Sequence, residues 1–473
     1  MSVTLSHCRQ CRAHARGTDG QSERLRLARH FLQIGRGRGR EQGRDPAVQI
    51  LAHQRPLPGG LAFCGLLDTL RGMQGRVLGI VSLIAAGLAG GCATTRFNAS
   101  TVDGAVKASN AFGFDYYREI RKGRDNFVCS PAGAAIALTM AAAGARGETQ
   151  AEMLRVLHIA PTNLDQTYAS FAAVLAAVKA RGGQDGLVLT MSDRAWVDKT
   201  FMLVPAYQAL LRDVFRAPVV QLDFRNDNQA ALATINQWSS DETHGRIPEI
   251  LDRVKGPVVL ANAIYMLGEW QSPFAASATG EARFTTAAGS TSAKMMRQLS
   301  DFRFAQVGGT KLVELPYKGG LSMILVLPQG VDGLAKVEDE IASSYADWLQ
   351  ALNIRAVDVK LPRFTTETNL ELTGPLDSLG IHLAFNGMAD FSGIDGTRKL
   401  YIAQAVQKAW IETSEKGTEA AAVTVIELRI KSSREPPPPP PVVFHADHPF
   451  MYLIRDTESG EILFMGRVVK PTT

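Results

Sequence analysis

The sequence predicts an α+β fold. Helical patterns cluster in the first part of the globular region and strand patterns dominate the later part. No steady strand–helix–strand alternation joins them, which sets aside a doubly wound parallel sheet. No repeat with a period of about 20–50 residues is visible, which sets aside solenoids and propellers. Of 473 residues, 45% are apolar and 21% charged, a globular balance in a chain long enough for a sizeable core.

Residues 1–72 hold twelve Arg, no Lys and five acids, a net +7, and include the run Gly35–Arg40, GRGRGR. Two readings are open: an Arg-rich arm for nucleic acid, or upstream sequence that is no part of the working protein. The next segment favours the second. From Met73 the chain places one cation, Arg76, before an apolar run from Val77 to Ala89 and small residues up to Cys92. The run is shorter than the roughly 20 apolar residues that span a bilayer and fits the h-region of a secretory signal. Residues 1–72 therefore read as a non-native upstream extension and 73–91 as a signal peptide.

Leu88–Cys92 resembles a bacterial lipobox, although Ala89 stands where Leu is preferred; an ordinary signal with a chance Cys is the other reading. Acylation of Cys92 would anchor the protein to a membrane without spanning it. Ala93, in place of Asp, is similar to signals for the outer membrane. The expected location is that of an exported outer-membrane lipoprotein, periplasmic or on the cell surface, or of a secreted protein if no lipid is attached. Residues 92–104 then form a linker. From Cys92 onward the net charge is −3, so the basic excess is lost and no nucleic-acid partner is expected. Only Cys92 and Cys129 remain there, and with Cys92 acylated no intramolecular disulfide is possible. Cys129, in the apolar run Phe127–Cys129, reads as a small core residue.

Residues 103–123, 130–158 and 165–180 read as helices, the second started by Ser130 as cap and Pro131 in the first turn. Segments 186–190, 257–265, 311–316, 322–327, 357–361 and 461–469 read as strands, with β-branched runs between turn residues. Residues 418–428 alternate with period two. Thr418, Ala420, Ala422, Thr424, Ile426 and Leu428 form an uncharged face, whereas the other face carries Glu419, Glu427 and, one step beyond, Arg429. That is a strand with one side buried and one side wet, free of Pro and so fit for a central position. Yet it runs into a polar stretch and the six prolines Pro436–Pro441, an extended spacer. The segment is strand-competent where a loop is needed; an ordinary strand followed by a linker is the plainer reading.

Enzyme signatures are missing: the sequence has no HExxH, GxSxG or P-loop motif. His445 and His448 suggest either a metal pair or a turn before the last strands, and the spacing without nearby Cys favours the turn.

From about residue 105 to the C-terminus the chain resembles the serpin family. Asn126–Pro131 with Gly144–Thr149, Ile235–Trp238 with Thr243–Ile247, and Leu260–Tyr265 with Gly268, Trp270 and Phe274 follow the family's motifs in order. So do Glu415-Lys416-Gly417-Thr418-Glu419-Ala420-Ala421-Ala422 and the terminal Asp447–Phe450 and Phe464–Arg467. The resemblance implies one domain over 105–473 with three β-sheets, a helical cluster and an exposed reactive-centre loop at about 415–441. It also implies an irreversible suicide inhibitor of serine proteases: the cleaved loop enters the main sheet as a strand and drags the acylated protease with it.

Under that resemblance Glu415, Gly417, Thr418, Ala420, Ala421 and Ala422 form the hinge. Gly417 supplies a flexible pivot and small neighbours ease entry into the sheet. A charge at Thr418 would be buried unpaired, at a cost of several kcal/mol. The family's loop length places the reactive bond at Lys431–Ser432, with Arg429 or Arg434 as alternatives in another register. A basic residue there implies trypsin-like proteases as the partner, with the inhibitor acting as a monomer and without cofactor or metal. The gate cluster behind the sheet is Ser130, Asn262 and Gln407; Gly133 and Gln407 depart from the family's Ser and His. A non-inhibitory serpin acting as a binding or chaperone-like protein is the alternative, but such relatives carry charged, bulky or Pro hinge residues that are missing from this sequence.

Overall fold

The computed structural model describes residues 96–183, 186–418 and 439–472. Residues 1–72, the expected signal segment 73–91, Cys92, Ala420, Ala421, Ala422, Lys431, Ser432 and the first three of the six prolines lie outside the described residues.

The chain enters as an extended segment. Phe97 bridges Ile159 in parallel and Ala99 is buried. The expected linker over 92–104 is therefore already docked from Phe97, because its apolar side chains find partners on the helical cluster. Helix α1 (Val102–Ile120) is capped by Thr101, whose hydroxyl accepts from the Gly104 N–H. The expected helix over 130–158 is two helices, α2 (Pro131–Gly144) and α3 (Gly147–Val156). Ala145 is extended and Gly147 takes φ +56°, a turn that breaks the helical run between them. Helix α4 (Leu164–Lys179) follows as read. Two further long helices, α5 (Asn228–Glu242) and α6 (Leu334–Ala351), cover the sheets.

The larger sheet takes β1 (Phe127–Cys129), β5 (Gly280–Thr286), β6 (Gly289–Val307), β7 (Thr310–Pro316), β8 (Leu321–Leu327), β9 (Asn353–Pro362), β13 (Val442–His445), β14 (Phe450–Asp456) and β15 (Ile462–Val468). Its order is β1-β15-β14-β8-β7-β6-β9-β13, with β5 on β6. The second sheet has the order β10-β11-β4-β2-β3, built from β2 (Val188–Asp198), β3 (Val220–Leu222), β4 (Val258–Glu269), β10 (Phe364–Glu371) and β11 (Ile402–Thr413); β12 (Gly417–Thr418) pairs with β4. Helices and sheets are mixed as expected, but the described strands join into two hydrogen-bonded sheets instead of three. The reason is β6. Its 19 residues pair with β5 and β9 along most of their length and with β7 from Arg303 onward, so one strand belongs to two layers.

Most of β4 alternates between two cores. Val258, Leu260, Ile264 and Met266 belong to the main core, whereas Val259, Ala261 and Ala263 belong to a smaller core with Trp196, Trp238, Ile247 and Ile250. The sheet is thus covered on both faces at its centre, where α2 lies on one side and α5 on the other. Cys129 is fully buried in the main core, and burial pushes its thiol well up.

Candidate functional site

The second sheet has a parallel seam at its centre. Its central neighbours β4 and β11 run parallel, while β4 is antiparallel to β2 and β11 is antiparallel to β10. Their pairing stops at Tyr265↔Trp410. Beyond it, the last residues of β4 pair antiparallel with β12, Gly417↔Glu269 and Thr418↔Gly268. The segment that leaves β11 therefore folds straight back onto the top of the β4–β11 seam. Gly417 is required there: its φ is +131°, and a Cβ would lie 1.9 Å from the Gly268 carbonyl oxygen.

The segment expected to act as the hinge is clamped at its base. The Glu415 carboxylate accepts from Arg363 Nε at 2.8 Å and from the Thr279 hydroxyl at 2.6 Å. Burial raises its pKa, but these hydrogen bonds outweigh it and leave the carboxyl below its ordinary value. Trp270, fully buried, donates from Nε1 to the Ser414 carbonyl at 3.0 Å and stacks on Tyr317 with centroids 4.2 Å apart. The Glu415 and Trp270 main chains add Phe274 N–H to Glu415 O and Trp270 N–H to Lys416 O, both 2.8 Å.

Lower in the seam a polar row crosses three strands. Asp193, Asn262 and Gln407 are register partners on β2, β4 and β11, and each falls on the inward, otherwise apolar face. Asn262 Nδ2 donates to Asp193 Oδ1 at 2.9 Å, and Gln407 Nε2 donates to Asn262 Oδ1 at 2.9 Å. Gln407 also bonds the Ser130 main chain in both directions at 2.8 Å and accepts from the Tyr116 hydroxyl at 3.2 Å. Ser130 caps α2, its hydroxyl accepting from the Gly133 N–H at 3.1 Å. Thus Ser130, Asn262 and Gln407, predicted together, lie together.

The departures at 133 and 407 fit one another. A Cβ on Gly133 would lie 2.5 Å from the Asn262 amide. The missing side chain is what lets Asn262 sit under α2 and meet Gln407.

Sequence reasoning missed Asp193, Tyr116, Arg363 and Thr279. Asp193 could have been found: in β2 it shares a face with Leu189, Met191, Ala195 and Val197, so period two alone places a carboxylate in the core. Burial pushes its pKa up to about 7, against the pull of Lys179 and the Asn262 bond. Its Oδ2 is buried without a hydrogen-bond partner among the described atoms. The two C-terminal histidines hold separate partners. His445 Nε2 lies 3.2 Å from Asp358, and His448 lies 2.8 Å from Asp447 and 2.9 Å from the Pro328 carbonyl.

Residues 107–471 match the family described as Serpin (serine protease inhibitor). The chain is 34% identical over 374 residues to an uncharacterized serpin-like protein of Thermococcus kodakarensis, covering 77% of this chain and 85% of that one. It is 33% identical over 383 residues to the leukocyte elastase inhibitor of Sus scrofa, covering 77% and 98%. Among solved structures, Serpin48 of the insect Tenebrio molitor superposes with a TM-score of 0.68 at 31% identity, covering 78% of this chain and 98% of that one. With a parallel seam, a clamped segment folded onto it and this match over most of its length, the chain belongs to the serpin family.

Proposed function

We propose that this serpin is an irreversible suicide inhibitor of trypsin-like serine proteases. The protease serine attacks the Lys431 carbonyl, the Lys431–Ser432 bond breaks, and the Ser432 amine leaves with a proton. The protease is then held as an acyl-enzyme on Lys431. The freed loop enters between β4 and β11, and the protease travels with it before water can release it.

The observation that carries this reading is the β12–β4 register. Continued in the same antiparallel sense, residues 417–428 meet Glu269 back to Val258, the full 12 residues of β4. Residues Ala420, Ala422, Ile426 and Leu428 then fall opposite Met266, Ile264, Leu260 and Val258 and share their inward face. The charged Glu419 and Glu427 fall outward. Thr424 falls opposite Asn262, the one inward position where a polar side chain meets a polar row, and its hydroxyl can replace the Asn262–Gln407 bond that entry breaks. Insertion also replaces one parallel pairing by two antiparallel ones, which are more stable per residue. A strand of twelve residues at roughly 3.3 Å each is about 40 Å of new ladder.

We further propose that the protein is exported and, with Cys92 acylated, held at the outer membrane. Trypsin incubated with the protein should give a complex that survives SDS, and mass spectrometry should place the acyl bond at Lys431. Cleaved serpin beside free, active trypsin would refute inhibition and leave the non-inhibitory reading. Lys431→Glu should abolish the complex; undiminished inhibition would mean that another residue forms the reactive bond.

A further inference from the structure

The domain is pinned before its first helix begins. The Phe97 N–H donates to the His158 carbonyl at 2.8 Å, and the Phe97 carbonyl accepts from the Ala160 N–H at 3.0 Å. The Phe97 ring is half-buried against the main core and Ala99 is buried. The Asn98 side chain accepts from the Ser100 hydroxyl at 2.6 Å, and Thr101 caps α1. A Cβ on Gly104 would lie 2.0 Å from the Asn98 carbonyl oxygen, so α1 itself presses on the segment. From Phe97 onward the chain has no slack.

Only residues 93–96 stand between Cys92 and Phe97, and that stretch reaches at most about 18 Å. A domain of roughly 380 residues has a radius of gyration of about 21 Å. A tether this short cannot let the far half of such a domain turn toward the surface that holds it. The near face has its own character. Residues 96–102 and 158–164 contain no Asp or Glu, and carry only Arg96 and His158 as basic groups, in a chain whose net charge from Cys92 onward is −3. Val102, Pro161, Thr162 and Asn163 are exposed there. At the rim Asp103 is paired with Lys107 and Asp115 with His158, each at 2.8 Å, while Asp165 is exposed in the first turn of α4. The strip lies at the N-terminal end of α4. Past the other end of α4, Gly182 packs on Leu189 of β2, whose register partner Met266 is near Glu269 and the hinge. The 16 residues of α4 set the two ends about 24 Å apart.

We propose that this acid-free strip is the face the protein turns to an anionic lipid surface, with the reactive loop directed away from it. The proposal rests on the acylation of Cys92 proposed above. Anionic headgroups attract basic segments held near them and repel acidic ones, and the strip brings Arg96 to them without a carboxylate of its own. Val102 and Pro161 add apolar contact. A protease arriving from solution then meets the loop before the bilayer.

The chain from Met73, expressed in a bacterial host, is reconstituted into vesicles of phosphatidylethanolamine and phosphatidylglycerol with rhodamine on a fraction of the headgroups. Cys129 is buried, so in acylated protein a fluorophore on Thr162→Cys or on Val443→Cys reports one site each. Both positions are exposed, and Val443 lies just past the loop in β13. The label at 162 should lose several times more of its emission to the rhodamine than the label at 443. Equal losses in protein that floats with the vesicles would overturn the orientation and leave the lipid anchor standing, and so would the opposite order. If mass spectrometry finds Cys92 without acyl chains and the protein does not float, the anchor fails and the orientation with it.

Discussion

Asp193 is where a single side chain most constrains the molecule. An unfolded Asp titrates near 4, whereas burial holds this one up to about 7. Between those values the folded chain binds a proton that the unfolded chain has lost. The Asp193 contribution is therefore fully present below about pH 4 and is lost as pH rises through 7. Glu461, buried against Ser109 and raised to about 8, acts in the same sense. Asp193→Asn should flatten the fall in stability between pH 4 and 8. At pH 8 it should gain about 1–3 kcal/mol over the unmodified protein in urea unfolding, with the slope due to Glu461 left in place. An unchanged pH profile would mean that Asp193 is ionised in the folded protein across this range. Gly133 is the complementary case. Adding a side chain there drives into Asn262, so Gly133→Ser should cost about 1–3 kcal/mol by overpacking, read as a lower denaturant midpoint. A loss absent from the single variant would show that Asn262 has room to move.

At the scale of elements, the loop and β4 must match face to face and residue to residue. Thr418 pairs with Gly268, and in the proposed inserted strand it would be the first residue of the inward face. Thr418→Arg should leave cleavage by trypsin intact but turn inhibitor into substrate, because a buried unpaired cation stalls the strand at its first step. Undiminished SDS-stable complex would show that the strand does not enter from this end. Much of this was legible in the sequence. The uncharged face from Thr418 to Leu428 is a pattern of residue types, and so is the capped start of α2 at Ser130. The register was not legible, because it depends on where the hinge touches β4, and Gly268–Glu269 carry no mark of that contact. Nor was the long β6: it is half wet, and its polar residues hide the alternation that names a strand. The role of Gly133 was hidden for a further reason. A glycine in a helix is readable only as a cost until the Asn262 amide is seen in the space it leaves.

For the whole molecule, the proposed mechanism requires a native state that is not the most stable arrangement of its own chain. Two arrangements of the second sheet would then compete. In one, β4 and β11 pair in parallel, Gln407 bonds Asn262 and only Gly417–Thr418 are added at the top. In the other, the proposed one, a twelve-residue strand would lie between them, antiparallel to both. In the proposed mechanism the uncleaved chain stays in the first because the loop is tied at both ends: it leaves β11 at Thr413 with Glu415 clamped to Arg363 between β9 and β10, and it runs into β13 at Val442. Cutting the loop would remove one of these ties. The cleaved protein should therefore melt above the intact one, by roughly 10–20 °C or somewhat less if insertion contributes about 5 kcal/mol, since each kcal/mol shifts the melting temperature of a chain this size by about 2–4 °C or somewhat less. Differential scanning calorimetry before and after limited proteolysis measures this directly. The same comparison on Thr418→Arg should show cleavage with little or no rise. A rise of equal size in that variant would mean that stability comes from somewhere other than the seam.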